Sequence, residues 1–140
     1  MSTLDPAEAR RRFAEGRVAR MATAGADGRP HVVPVVFAVD GEAILSIVDP
    51  KPKRGPRLKR LRNIAANPRV SLLVDHYEED WPSLWWVRAD GSATVEEEGG
   101  ARDRTIELLA AKYAQYAEWT EPFGPAVVVR VDRWSSWSFS

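Results

Sequence analysis

Residues 18–41 read VARMATAGADGRPHVVPVVFAVDG, and the fold prediction starts from this stretch. Apolar and polar side chains alternate over residues 18–23, which is the pattern of a strand with one buried face. A run rich in β-branched residues follows at 31–39 and predicts a second strand. The Asp27-Gly28 pair between the two segments is typical of a tight hairpin turn. The stretch therefore predicts two neighbouring antiparallel strands.

The hairpin pattern continues into a third strand. Asp40-Gly41 predicts another turn, and an apolar strand follows over residues 43–48. Pro34 lies within the second predicted strand, and proline cannot donate a hydrogen bond to a sheet ladder. We therefore expect Pro34 to mark a sheet edge, a bulge or a break.

The rest of the chain supplies three helices and four more strands. Asp5 is a predicted helix cap, with Pro6 in the first helical position and Gly16 after the last turn. Asp90-Gly91 predicts a turn between two further strands. The predicted helices cover residues 6–15, 56–66 and 102–116, and the predicted strands cover 70–74, 84–89, 92–96 and 126–131.

This order of elements favours a mainly β, α+β fold. It lacks the strand–helix–strand alternation and the glycine-rich fingerprint of a dinucleotide-binding domain. Consecutive hairpins of apolar strands instead predict a small closed or nearly closed antiparallel barrel with flanking helices. We expect one domain over residues 1–140.

Composition narrows the class of function. The 140 residues carry a formal net charge of zero and no cysteine, so disulfides, thiolate catalysis and thiolate metal sites are excluded. A near-neutral isoelectric point of 6.7 argues against a general nucleic-acid binder. The N-terminus is too charged for a signal peptide, and no apolar run reaches membrane length. We expect a cytoplasmic protein with no membrane or nucleic-acid partner.

The local exception to this neutrality is KPKRGPRLKRLR, residues 51–62. A strand, a basic loop and a helix N-terminus in succession form a competent phosphate site, because free helix N–H groups carry partial positive charge. Arg57 falls in the first helical turn, where a cation is unfavourable unless an anion compensates it. The other cations further along the helix are read first as its solvated face: Lys59, Arg60 and Arg62.

Three segments carry a family resemblance: residues 18–41, residues 45–77 (LSIVDPKPKRGPRLKRLRNIAANPRVSLLVDHY) and residues 85–95 (WWVRADGSATV). Together they resemble the pyridoxamine 5′-phosphate oxidase-like split β-barrel proteins, and within them the branch of probable coenzyme F420-dependent oxidoreductases. The resemblance implies a six-stranded antiparallel split barrel. It also implies a homodimer with two cofactors in clefts between the subunits.

By this resemblance, cofactor-binding residues fall in several short segments. The phosphate would be held by Lys53, Arg54 and Arg57, and a polyanionic tail by Lys51, Arg60 or Arg20. The partner subunit would close the site with Trp86 or with the C-terminal Trp134 or Trp137. The tricyclic ring would lie along Arg20, Met21, Ala22 and Thr23, along Pro34, Val35 and Val36, and along Ile47, Val48 and Asp49.

The resemblance favours coenzyme F420, with flavin mononucleotide as the alternative on the same scaffold. The implied reaction is hydride transfer to a small organic substrate, which requires no catalytic triad and no metal. Storage of the cofactor without turnover needs the same pocket and stays open, whereas the neutral overall charge counts against a nucleic-acid site on the basic segment. Heme is also bound on this scaffold, but His31 and His76 are weak candidates for a ligand. A proton donor, if one is needed, would be Tyr77, His76 or water.

Overall fold

The computed structural model describes residues 2–49, 58–119 and 122–140. Their helices are α1 (Pro6–Glu15), α2 (Lys59–Ala66), α3 (Gly100–Lys112) and α4 (Ala114–Ala117), with one 3-10 turn at Trp81–Ser83. Their strands are β1 (Ala19–Ala24), β2 (Pro30–Val35), β3 (Ala38–Asp40), β4 (Ala43–Ile47), β5 (Arg69–His76), β6 (Trp85–Glu96) and β7 (Ala126–Ser138).

All seven strands join one antiparallel sheet in the order β2-β1-β5-β6-β7-β4-β3. The predicted fold class is therefore confirmed, although seven strands are present where the resemblance implied six. The single strand expected over 31–39 is divided into β2 and β3 by Val36 and Phe37. Pro34 lies in β2, at an outer edge of the sheet, where a missing ladder donor costs least.

The turn predicted at Asp90-Gly91 is wrong, because the two expected strands form one continuous strand, β6. A bulge lies there instead: Gly91 pairs with Val131 and Asp90 with Arg133. A Cβ on Gly91 would lie 2.2 Å from the Arg130 carbonyl oxygen. Glycine is thus needed for close approach of two backbones, not for a reversal of the chain.

Helix α1 begins and ends where the sequence predicts. The Asp5 carboxylate accepts hydrogen bonds from the backbone N–H groups of Ala7 and Glu8, at 3.2 and 3.4 Å. The helix buries Phe13, whose ring lies 5.1 Å from that of Phe37. This contact fixes α1 over one end of the main core.

The main core lies on the inner face of the sheet, against α1 and α2. A smaller core joins α3 to β3 and β4 around Leu109, Tyr113 and Ile47. The helix predicted over 102–116 is interrupted at Tyr113, whose buried hydroxyl group hydrogen-bonds to the carbonyl oxygens of Arg17 and Phe37. Within the described ranges, no helix is long and apolar enough to cross a membrane.

Candidate cofactor and substrate site

The outer face of the sheet carries an open cavity of about 490 Å³ over β1, β5, β6 and the end of β7. Alternation along β1 points Met21 into the core and Arg20 and Ala22 outward. The pairing register then sets Arg20 beside Leu73 of β5. Three residues predicted to bind cofactor meet at this cavity: Arg20, Ala22 and Trp86.

Two aromatic residues border the cavity side by side. Trp86 of β6 pairs directly with Trp137 of β7, and the Arg88 guanidinium lies 5.9 Å from the Trp86 ring centre. The neighbouring Trp85 packs instead against the main core. Trp85 and Trp86 therefore face opposite sides of the sheet, as neighbours on a strand do. The cavity is thus aromatic on one wall and cationic at Arg20 and Arg88.

Trp134 lies on the other side of the sheet from Trp137. Its ring packs edge-on against Phe13 at 5.2 Å, and the Arg10 guanidinium lies 5.6 Å from its ring centre. Its indole N–H is buried and has no acceptor among residues 2–49, 58–119 and 122–140. The structure therefore separates Trp134 from the outer-face cavity and brings Trp137 to it.

Several predicted ring-contacting residues lie inside the protein. Met21, Val35, Ile47 and Val48 are 1%, 8%, 5% and 8% exposed. Pro34 is exposed on β2 opposite Arg20, and Val36 packs against the smaller core. These six residues are absent from the cavity lining, whereas Arg20, Ala22 and Trp86 belong to it.

Thr23 is buried as well, and its partner is a residue that the sequence reasoning missed. Asn63 of α2 is 2% exposed, and its amide donates to the Thr23 hydroxyl oxygen at 3.0 Å. Leu61 and Ile64 on the same helix are buried as well, whereas Ala65 is exposed. An asparagine between two apolar helix positions was the available signal, because a buried amide needs a partner.

A second polar cluster lies where β4 ends and α2 begins. The Tyr116 hydroxyl donates to the Asp49 carboxylate at 2.5 Å, and burial followed by this contact raises the pKa of Tyr116. Burial lowers the pKa of Arg60, while Asp49 and Tyr116 act in the opposite direction. Arg60 Nε is buried and has no hydrogen-bond acceptor among the residues that the structure describes. We call Asp49, Arg60 and Tyr116 the α2 corner.

The α2 corner corrects the first interpretation of the helix cations. Lys59 and Arg62 are exposed, as a solvated face requires, whereas Arg60 is half-buried beside Asp49. The other predicted phosphate and tail residues lie outside the described residues: Lys51, Lys53, Arg54 and Arg57. Of the three described cations of α2, Arg60 is the one that is half-buried next to this basic segment.

The connection from β5 to β6 borders the outer-face cavity. His76 Nε2 lies 3.2 Å from Glu78 Oε1, and the His76 ring stacks on Trp85 at a centroid distance of 6.3 Å. Tyr77, 62% exposed, also lines the cavity. Among the residues that the structure describes, no group of three or more His, Asp or Glu side chains is arranged to hold a metal ion.

Comparisons with known proteins agree with this architecture. A 5a,11a-dehydrotetracycline/5a,11a-dehydrooxytetracycline reductase from Streptomyces rimosus subsp. rimosus is 41% identical over 56 residues. That match spans 40% of this chain and 38% of the length of the relative. An FAD-binding protein from Mesorhizobium loti has a TM-score of 0.72 at 24% identity, covering 96% of this chain and 95% of its own.

A conserved hypothetical protein from Mycobacterium tuberculosis has a TM-score of 0.77 at 23% identity, over 96% of this chain and 85% of its own. At this level of identity, both structural likenesses concern the fold. Residues 6–138 match the pyridoxamine 5′-phosphate oxidase family, which is nearly the whole chain. The chain therefore belongs to the pyridoxamine 5′-phosphate oxidase family.

Proposed function

We propose that this protein is an oxidoreductase that binds coenzyme F420 and transfers a hydride between it and a small conjugated substrate. The observation that carries the proposal is the outer-face cavity, where Arg20, Ala22 and Trp86 meet. The resemblance of residues 45–77 to the F420-dependent branch selects the deazaflavin over other cofactors. The relative that reduces a dehydrotetracycline supports a reductase acting on a conjugated molecule.

The residues present fit both parts of such a cofactor. A planar tricyclic ring needs an apolar cavity with aromatic neighbours, and Trp86 and Trp137 provide them. A phosphate or carboxylate needs fixed cations, and the buried Nε of Arg60 has no acceptor within the described ranges of the chain. A buried donor left unpaired is costly, so an anion bound at the α2 corner would recover that cost.

The protein's own contribution would be position and charge. When bound, the reduced deazaflavin would supply a hydride, and the protein would hold the cofactor in the orientation that the transfer needs. Trp86 and Trp137 exclude water from one wall of the cavity, and Arg20 and Arg88 present cations to an oxygen that gains negative charge. Lys53, Arg54, Arg57 and Arg60 are proposed to anchor the phosphate, with Lys51 available to the anionic tail.

We further propose that the site is completed by a second copy of the chain. Half-exposed or exposed apolar groups lie together on the outer face, including Val32 (59% exposed) and the Trp86–Trp137 pair. A sheet face of this kind becomes stable when another surface covers it. Two copies related by a two-fold axis would cover it with the same face.

Flavin mononucleotide is the second candidate cofactor. The FAD-binding protein from Mesorhizobium loti shares the fold, so a flavin ring is compatible with this architecture. The two cofactors differ most at the tail, because F420 adds carboxylates beyond its single phosphate. A cofactor store without turnover would use the same contacts and differs only in lacking a substrate reaction.

Fluorescence titration of the purified protein with F420, and separately with flavin mononucleotide, tests the assignment. We expect tighter binding of F420, and losses of about tenfold or more in Lys53→Ala and Arg57→Ala, because each removes a charge-assisted hydrogen bond. The matched control is Arg62→Ala, an exposed cation of α2. Tight flavin binding without F420 binding would overturn the choice of cofactor. Unchanged F420 affinity in both variants would mean that the phosphate lies elsewhere.

Oxidation of a reduced F420 pool with a panel of conjugated enones then separates turnover from storage. Steady loss of the reduced cofactor with any enone supports the reductase. Stoichiometric binding with no loss supports the store.

A further inference from the structure

Tyr116 of α4 is held in place by aromatic neighbours. Its ring meets those of Tyr113, Trp119 and Phe123 edge-on, at centroid distances of 6.2, 5.7 and 5.4 Å. Edge-to-face pairs at such separations are favourable and have a preferred geometry. Tyr116 is also half-buried. Its hydroxyl group therefore has a defined place at the α2 corner.

The Tyr116 hydroxyl group fixes the Asp49 carboxylate. It donates to Asp49 Oδ1 at 2.5 Å across 67 positions of the chain, so the contact joins α4 to the end of β4. Burial, followed by this contact, raises the pKa of Tyr116. The phenol consequently keeps its proton near neutral pH and remains a donor. The carboxylate is thus tied to α4.

Arg60 lies near this carboxylate but is not paired with it. Burial lowers the pKa of Arg60, and the charge of Asp49 opposes that effect without a hydrogen bond between the two side chains. The buried Nε atom has no acceptor in the part of the chain that the structure describes. The side chain is half-buried rather than enclosed, so an anion from solvent can reach it. Arg60 therefore combines a desolvated charge with an incomplete set of partners.

We propose that Tyr116 is a positioning residue of the anion site: its hydroxyl group holds the Asp49 carboxylate away from Arg60, so that Arg60 stays available to a bound anion. This role rests on the proposed function, because the anion is the phosphate of the proposed cofactor. Without the hydroxyl group, the carboxylate would turn toward Arg60, because a desolvated cation favours a charged acceptor. The resulting pair would neutralise the cation and place a negative charge beside the phosphate.

A purely structural contact between Tyr116 and Asp49 predicts a different response to mutation. If the hydrogen bond only ties α4 to the end of β4, its loss loosens the α2 corner whichever side chain residue 49 carries. If the hydrogen bond keeps Asp49 from Arg60, its loss matters only while residue 49 is charged. Neutralising Asp49 in the absence of the Tyr116 hydroxyl group therefore separates the two roles.

Fluorescence titration with F420 makes this comparison in Tyr116→Phe, in Asp49→Asn and in the two combined. Tyr116→Phe should weaken F420 binding about fivefold, because Asp49 then competes with the phosphate for Arg60. Adding Asp49→Asn should restore the wild-type affinity to within about twofold, because a neutral amide does not neutralise Arg60. A loss in Tyr116→Phe that persists in the double variant would refute the proposal, and so would the absence of any loss.

A second measurement needs no cofactor. Urea unfolding of Asp49→Asn, Arg60→Met and their combination gives the coupling between the two side chains, first with Tyr116 present and again with Tyr116→Phe. We expect weak coupling when the hydroxyl group is present. Without it, the coupling should grow by about threefold in the unfolding equilibrium constant, the effect of a new, partly exposed ion pair. Equal coupling in both backgrounds would mean that Tyr116 does not keep the two side chains apart.

Tyr77→Phe is the matched control for the coupling measurement. The Tyr77 hydroxyl group also donates to a carboxylate, that of Glu79 at 3.3 Å, but it belongs to the connection between β5 and β6. Its removal should leave the coupling between Asp49 and Arg60 unchanged, and a change as large as that in Tyr116→Phe would overturn the assignment to Tyr116.

The two measurements also separate this inference from the proposed function. Absence of F420 binding to wild-type protein would overturn the proposed function. Unchanged coupling in a protein that binds F420 would overturn the role of Tyr116 alone.

Discussion

Lys112 and Arg60 are two half-buried cations whose pKa is lowered mainly by burial, to about 8 for Lys112. They differ in how their N–H groups are used. Lys112 Nζ donates to the carbonyl oxygens of Ala14 and Phe37, at 3.0 and 2.9 Å, and lies 3.8 Å from the centre of the Phe37 ring. Arg60 Nε is buried, and no residue in the described part of the chain accepts a hydrogen bond from it.

The contrast distinguishes a cation whose N–H groups have acceptors in the fold from a cation whose buried N–H group has none among the described residues. The Lys112 contacts join α3 to the end of α1 and to the break between β2 and β3 at Phe37, which is 0% exposed. Two of the three N–H groups of Lys112 Nζ thus donate to carbonyl oxygens of the fold. Arg60 lies beside Asp49, whose carboxylate already accepts from Tyr116. A cation desolvated without a complete set of partners is costly to the fold alone and is useful when an anion binds.

The largest expected effect that tests this contrast is on stability, at Lys112. We predict that Lys112→Met lowers the free energy of unfolding by about 2 kcal/mol, because two partly buried carbonyl oxygens lose a charged donor. Urea unfolding followed by tryptophan fluorescence measures the change. The control is Lys59→Met, an exposed cation on α2, for which we expect no significant loss. Equal stabilities of wild-type protein and Lys112→Met would show that Lys112 does not join these elements.

Arg60 should behave in the opposite way. We predict that Arg60→Met leaves the cofactor-free protein as stable as wild type or slightly more stable, since a desolvated charge is removed. Its affinity for F420 should fall about tenfold, the effect of one lost charge-assisted hydrogen bond. Melting curves with and without F420 measure both quantities, because a ligand raises the melting temperature according to its affinity. A destabilised variant with unchanged ligand shift would make Arg60 a second structural cation and erase the contrast.

The sequence could not show which of its cations are half-buried, because burial depends on contacts distant along the chain. Lys59, Arg60 and Arg62 look equivalent in a basic helix, and only the approach of Asp49 and Tyr116 singles out the middle one. Local signals were sufficient elsewhere. Asp5, Pro6 and Gly16 predicted both ends of α1 because capping is a local interaction.

The two C-terminal tryptophans illustrate the same limit at the candidate site. Strict alternation from Val131, which faces the core, would turn Trp137 inward and Trp134 outward. The bulge in the β6–β7 pairing leaves Asp132 without a partner residue on β6 and reverses that alternation. Trp137 consequently lies on the cavity and Trp134 against Phe13. Nothing local to residues 131–137 announces the bulge, since it arises where β6 passes closely at Gly91.

The smallest expected effect is the pH dependence of stability that the Lys112 site should impose. Burial lowers the pKa of Lys112 in the folded state to about 8, from its ordinary value of 10.5. Between these two pH values the unfolded chain therefore binds more protons than the folded protein, so stability rises as pH increases through this window. Below about pH 8 the ammonium is charged in both states, and the cost of its burial is fully present.

Comparing urea unfolding at about pH 7.5 and about pH 9.5 measures this contribution. We expect wild-type protein to gain about 1 kcal/mol more than Lys112→Met, a figure reduced for the partial exposure of the amine. Taking the difference between the two proteins removes the contributions of other titrating groups. Burial raises the pKa of Tyr113 and of Tyr116 in the folded protein, so these phenols lower the stability of the protein only above their ordinary pKa of about 10. The higher pH of the comparison, about 9.5, therefore stays below that value. An equal pH response in both proteins would mean that solvent reaches the Lys112 amine. The two hydrogen bonds, without burial, would then be all that distinguishes Lys112 from an exposed lysine.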